Sequence, residues 1–367
     1  MNEGLSIKKL DYIDALRGLA ILGVIMVHTS QYGSTVLPGF ISDIIRQGSR
    51  GVQLFYLASA FTLFLSFKFR SNSEKFPIRN FFVRRFFRIA PMYYLGICYY
   101  LFQDGTGARH WLGNESHVTS ANIISNFLFL HGFNPYWINS VVPGGWSIGV
   151  EMTFYFIFPF LFSKIKNINQ IFNIFVICLF LKLLPQLFFM KFHFISDNNL
   201  WSEYLALYFP SQLPVFCLGI ILYFLAMDGE NIKKISGSSL LIFSILLIAQ
   251  LTIRINFILS EPILFGIGFL ILGLALSKNR NIIIVNPIIT YIGKISFSMY
   301  LVHFAVLHWL TYLNFIDYFK NSVINYITRY ILVNIITIMI STLFYKIIEV
   351  PFQGFGKKII TKFERLD

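Results

Sequence analysis

The chain has 367 residues, of which 56% are hydrophobic and only 13% charged, with a formal net charge of +13 and a mean hydropathy of +0.66. That composition lies far outside the range of soluble globular proteins, and apolar runs recurring from residue 13 to residue 349 exclude a sizeable water-soluble domain. The basic residues punctuate those runs and form no basic face interleaved with aromatics, which excludes nucleic acid as the expected partner and points to a positive-inside protein bathed in membrane lipid.

The polar start MNEGLSIKK and the lack of a small-residue cleavage site after the first apolar stretch predict a retained first helix, not a removable signal peptide. Runs of about twenty apolar residues then predict spans at 13–32, 50–68, 89–103, 145–163, 168–190, 205–227, 239–257, 261–277, 291–313 and 328–349. The expected fold is therefore all-α, a polytopic membrane helix bundle of about ten transmembrane helices, with 261–277 also open to a re-entrant reading. The longest outer loop, about 104–144, carries Trp111, His117, His131 and Trp137 and is expected to hold a short helix near 120–130. With the N-terminus inside, twenty-two Lys and Arg fall on the cytoplasmic side and eight on the outer side, which places both termini in the cytoplasm. Cys98, Cys178 and Cys217 all lie in apolar runs without CxxC or ligand spacing, so buried free thiols are expected and no metal. No internal repeat, low-complexity tract or Pro-rich linker divides the chain, and 1–367 reads as a single membrane domain.

Residues 10–28, LDYIDALRGLAILGVIMVH, place Arg17 and His28 in one apolar helix. Eleven residues at about 100° each return to within roughly 20° of the same face, about 16 Å further along the axis. In a structural reading Arg17 snorkels to the inner interface beside Asp14 and His28 caps the outer end. In a functional reading both line one polar cavity, because ionisable groups in a membrane helix are expensive unless they do so. A neutral His28 would then take the proton of a hydroxyl attacking an acyl carbonyl.

Two further constellations follow. Residues 81–94, FFVRRFFRIAPMYY, bring Arg84, Arg85 and Arg88 to one helix mouth. Positive-inside anchoring explains such a cluster, yet all three are Arg, whose fork matches phosphate oxygens in two-point contacts that Lys does not reproduce. In 144–161, GGWSIGVEMTFYFIFPFL, Glu151 sits in an otherwise apolar helix at a depth similar to that expected for His28. It requires a partner or a proton, either as a structural pair or as the group that orients His28. His303 and His308 differ by about 140° around their helix, which disfavours a metal clip and suits hydrogen-bonded core histidines. Glu349 followed by Pro351 reads as the stop of the last span. No P-loop, HExxH, GxSxG or GxGxxG stands in usable context.

Taken together, DALRGLAILGVIMVH, QLFYLASAF at 53–61, RRFFRIAPMYY at 84–94, WSIGVEMTFYFIFP at 146–159, SFSMYLVH at 296–303 and YKIIEVPF at 345–352 resemble, in order, the acyltransferase 3 family of bacterial multi-pass membrane O-acyltransferases. The resemblance implies a cytoplasmic acyl-CoA donor, acetyl-CoA above all, and an acceptor hydroxyl on an envelope glycan at the outer face of the inner membrane. It implies that Arg17 and His28 belong to the catalytic core and that Arg85 and Arg88 help hold the coenzyme; Arg84, and Arg17 at the inner mouth, are expected to assist in holding it. One departure is Ser59–Ala60–Phe61, where the family commonly has SGF; the added methyl group slightly relaxes close helix approach. About seventeen residues follow the last span, so no fused extracytoplasmic domain is expected. A glycan or lipid-linked saccharide exporter is the rival reading, since intramembrane charges also line transport paths; against it stand the absent repeat halves.

Overall fold

The computed structural model describes residues 10–34, 36–113, 117–189, 191–227, 236–252, 261–279 and 281–366. Of the basic residues used above for orientation, Lys8, Lys9, Lys233, Lys234, Arg254 and Arg280 lie outside the described residues, as does the end of the seventh apolar stretch.

Every regular element among the described residues is helical. The α-helices are α1 (Asp11–Ser30), α2 (Gly39–Arg46), α3 (Gly51–Ser71), α4 (Pro77–Asp104), α5 (Ser120–Phe127), α6 (Gly145–Lys164), α7 (Ile168–Phe189), α8 (Asn198–Leu207), α9 (Phe209–Met227), α10 (Gly237–Thr252), α11 (Glu261–Lys278), α12 (Pro287–Tyr312), α13 (Ser322–Phe344) and α14 (Val350–Leu366). Each of the ten apolar stretches is mainly helical where described, that at 205–227 being broken at Tyr208 between α8 and α9, and the short helix expected near 120–130 is α5, capped by Thr119, whose hydroxyl accepts from the Asn122 N–H. Among the described residues eight helical stretches are long and apolar enough to cross a membrane, in line with a bundle of about ten. Of the remaining two, α4 is diluted by Arg88 and its tyrosines, and α10 has sixteen described residues.

Three expectations change. The third stretch is not short: helix runs unbroken from Pro77 through the arginine cluster to Asp104, because Arg is a good helix former and the charged turn continues the same ladder. Pro351 does not end the helical run. A π-turn at Tyr345–Glu349 leads straight into α14, and the wider turn changes the bonding register just where a proline lacks its N–H and crowds the carbonyl four residues back. Cys98 is exposed, whereas Cys178 and Cys217 are buried; an apolar run in a membrane helix turns part of its circumference to lipid, so apolar neighbours do not by themselves bury a thiol.

The chain packs as two compact units, Met1–Pro77 with Leu218–Tyr345, and Ile78–Cys217 with Lys346–Asp367. In the first unit α1 packs against α12, α3 and α13. Its contact with α12 is backbone to backbone: a Cβ placed on Gly293 would overlap the Asp14 carbonyl oxygen, and one on Gly18 would overlap that of Ile289. The start of α12 is fixed by Asn286, whose side-chain oxygen accepts from the N–H groups of Ile288 and Ile289 at 3.0 Å each, with Pro287 at the first helical position. Ala60 is fully buried, and the approach that its methyl group was expected to relax is supplied by Gly219, where a Cβ would meet the Ala60 methyl and the Leu57 carbonyl.

The second unit is built on stacked rings. Phe154 of α6 lies over Phe216 of α9 with centroids 4.0 Å apart, and Phe81 of α4 stacks on Phe158 at 5.3 Å. Trp201, Tyr204 and Tyr208 pack with Ile138 and Leu205 into a separate core. His131 is sealed in the same unit, its Nε2–H donating to the Gly145 carbonyl at 2.9 Å, and burial holds its pKa down to about 4.

Candidate functional site

Arg17 and His28 both lie on α1, one helix without a break between them, as their spacing required. The Arg17 guanidinium donates to Thr62 Oγ1 of α3 at 2.8 Å and pairs with Asp14 at 3.3 Å. Thr62 in turn donates to carbonyls of its own helix, Ala58 and Ser59, at 2.9 Å. Arg17 therefore ties α1 to α3, and the Asp14 partnership of the structural reading is present. The Arg17 side chain is 12% exposed.

His28, one turn from the end of α1, meets α12 instead. Its ring centroid is 5.4 Å from that of His303 and 4.5 Å from that of Phe304. Its Nδ1 lies 2.9 Å from the amide oxygen of Gln31. His303 is fully buried; its Nδ1–H donates to the Met299 carbonyl at 3.1 Å, because a carbonyl only accepts. The lone pair of a neutral His303 is thus on Nε2, which is buried without a hydrogen-bond partner. His303 is the hydrogen-bonded core histidine that its sequence setting suggested, but sequence alone did not bring it against His28, 275 residues earlier.

The turn that follows α1 is strapped down. Arg329 of α13, 1% exposed, donates from Nε to the Ile316 carbonyl at 2.8 Å, from Nη1 to the carbonyls of Thr29 and Tyr32, and from Nη2 to Asp317 at 2.5 Å. Asp317 also accepts from the Ser34 N–H and hydroxyl at 3.1 and 2.8 Å and from Asn325 at 2.7 Å. Gly33 sits in this cradle at φ +83, and a Cβ there would collide with the Arg329 guanidinium. Arg329, one of the eight basic residues counted on the outer side, is the buried peg of the loops at the His28 end of α1.

Arg84, Arg85 and Arg88 are half-buried on α4, in the second unit. The Arg85 guanidinium lies over the rings of Phe81 and Tyr155, 5.7 and 5.8 Å from their centroids. The Tyr155 hydroxyl donates to Glu151 at 2.5 Å. Glu151, half-buried on α6, is thereby joined to Arg85 through one ring. An apolar cleft of about 420 Å³ opens on this face between Arg85, Tyr155, Phe82, Phe129, Met152 and Phe156. The i to i+4 spacing of Glu151 and Tyr155 was legible, but their bond was not drawn from it. Among the described residues no three His, Cys, Asp or Glu side chains converge on a possible metal position.

Comparison with known proteins adds a family to this geometry. A protein of Staphylococcus aureus (strain COL) named "Putative O-acetyltransferase" is 25% identical over 386 residues, 96% of this chain and 59% of its own. O-acetyltransferase OatA of Staphylococcus aureus (strain NCTC 8325 / PS 47) is 24% identical over 384 residues, 94% of this chain and 57% of its own. The chain thus spans a little under three fifths of the length of the curated relatives it matches. No solved structure matches it. A family model described as an acyltransferase domain covers residues 10–346, nearly the whole of both units, and by that match the chain belongs to the acyltransferase 3 family.

Proposed function

We propose that the protein is an integral membrane O-acetyltransferase of the bacterial inner membrane, with both termini in the cytoplasm, which moves an acetyl group from cytoplasmic acetyl-CoA to a hydroxyl of an envelope polysaccharide or lipid-linked glycan at the outer face. His28 acts as general base. It takes the acceptor proton on one ring nitrogen as the hydroxyl oxygen attacks the thioester carbonyl; the C–S bond then breaks, and the departing coenzyme sulfur takes the proton back from the imidazolium. Arg17 supports the reaction from the same helix. The forks of Arg84, Arg85 and Arg88 are assigned to the phosphates of the donor, and Glu151, held by Tyr155, is assigned to steadying charge during transfer.

The observation that carries this reading is a membrane helix holding a hydrogen-bonded histidine and a paired arginine on a chain of an acyltransferase family. Purified protein supplied with labelled acetyl-CoA is expected to consume it only when a glycan acceptor is present. His28→Ala should insert and fold yet transfer nothing; persistent acetylation by that variant removes the mechanism, and saccharide movement across liposomes without thioester turnover removes the enzyme.

A further inference from the structure

Gln31 takes no part in the chemistry above, yet it holds one of the two nitrogens of the proposed base. A neutral imidazole carries a single N–H, and which nitrogen bears it decides which one is basic. The amide oxygen of Gln31 stands 2.9 Å from His28 Nδ1, and an amide oxygen only accepts, so this contact is a hydrogen bond only when the proton is on Nδ1. We infer that Gln31 is a positioning residue: it holds His28 in the Nδ1–H tautomer and leaves Nε2 as the nitrogen that receives the acceptor proton.

Three features give that contact its precision. Gln31 follows α1 directly, and its backbone N–H bonds the His28 carbonyl at 3.1 Å, so main chain and side chain both turn back to the same residue. Its neighbours are pinned on either side, Thr29 and Tyr32 by Arg329 and Ser34 by Asp317. The rings of Phe304 and His303, with centroids 4.5 and 5.4 Å from that of His28, crowd the imidazole and oppose a ring flip that would exchange its nitrogens. His303 shows the same device in another form, with its Nδ1–H fixed by the Met299 carbonyl. His28 differs in that its partner is a side chain, which substitution can remove.

The proposal rests on His28 being the base, and its test separates the two. Protein labelled with ¹⁵N-histidine and purified in detergent is read by its imidazole nitrogen shifts, the His28 signal being identified by its loss in His28→Gln. The wild type should show a protonated Nδ1 and an unprotonated Nε2. Gln31→Ala should mix the tautomers and lower kcat about ten- to a hundredfold, the range found for groups that orient metal-bound histidines, with KM for acetyl-CoA unchanged; Gln31→Glu, which keeps an acceptor oxygen, should restore the tautomer and most of kcat. A wild-type Nε2–H tautomer overturns the assignment. So does a Gln31→Ala variant with an unaltered tautomer, or an altered tautomer at full kcat. Wild-type protein that transfers no acetyl group strikes instead at the acetyltransferase reading, because the nitrogen shifts are read without turnover.

Discussion

Arg329→Ala tests the clasp at the end of α1. The side chain is 1% exposed and its three nitrogens serve three carbonyls and one carboxylate. Removing one partner of a sealed ion pair costs about 3–5 kcal/mol. Asp317, however, is about one-third exposed, at 35%, and keeps Ser34 and Asn325 as donors, so the abandoned carboxylate contributes less than that. The carbonyls of Thr29, Tyr32 and Ile316 lose charged donors, and a hydrogen bond to a charged group is worth roughly 1.5–3 kcal/mol, part of which water recovers at the rim. The expected loss is about 3 kcal/mol, read as the shift in unfolding free energy from denaturant titration in detergent. Arg329→Lys should recover less than half, since an ammonium lacks the fork that serves Nε and both Nη contacts at once. Combined with Asp317→Ala, the cycle should give a coupling of roughly 1–3 kcal/mol. An Arg329→Ala protein within about 0.5 kcal/mol of wild type, the ordinary scatter of surface substitutions, would refute the clasp.

The pH dependence of the same clasp has a definite sign. Burial pushes the Asp317 carboxyl up, but hydrogen bonds from Ser34 and Asn325 and the Arg329 charge outweigh it, and its pKa is held below the ordinary carboxylate value. A depressed carboxylate stabilises the fold above its unfolded pKa and loses that contribution as pH falls through the folded value. The stability difference between wild type and Asp317→Asn should therefore be flat above about pH 5 and shrink on acidification below about pH 4; a difference that shrinks on raising the pH would contradict it. Gly293→Ala should destabilise by about 3 kcal/mol or more, beyond ordinary overpacking, because its Cβ meets the Asp14 backbone. Gly354→Ala, with open space around it on α14, should be neutral or up to about 1 kcal/mol stabilising. Thermal midpoints of the two alanine variants in one detergent provide the comparison.

The fold was largely legible because a membrane admits few backbone solutions: an apolar stretch of the right length has to satisfy its own hydrogen bonds, and a helix does so. What composition could not report was where a helix continues past its apolar part. The arginines at the start of α4 and Pro351 both read as boundaries, and both lie inside continuous helical runs. The site divides along similar lines. Arg17 and His28 follow from helical period on one segment, and Gln31, three residues beyond His28, was within reach of the same rule. Thr62, His303 and Arg329 were not, because they reach α1 through packing across 45 to 300 residues of chain, and local pattern carries no record of which helices become neighbours. The burial of Arg329 was missed for a related reason: a count of charges by side treats every guanidinium as solvated, and this one is spent on carbonyls and Asp317.

The glycine-mediated seam between α1 and α12 has a dynamic consequence. Two helices whose main chains meet at Gly18 and Gly293 can come no closer, which favours α1 and α12 moving as one body that carries Arg17, His28 and His303. Any motion that the proposed reaction requires would then fall to other stretches of the polypeptide, while the groups proposed to handle the proton move together.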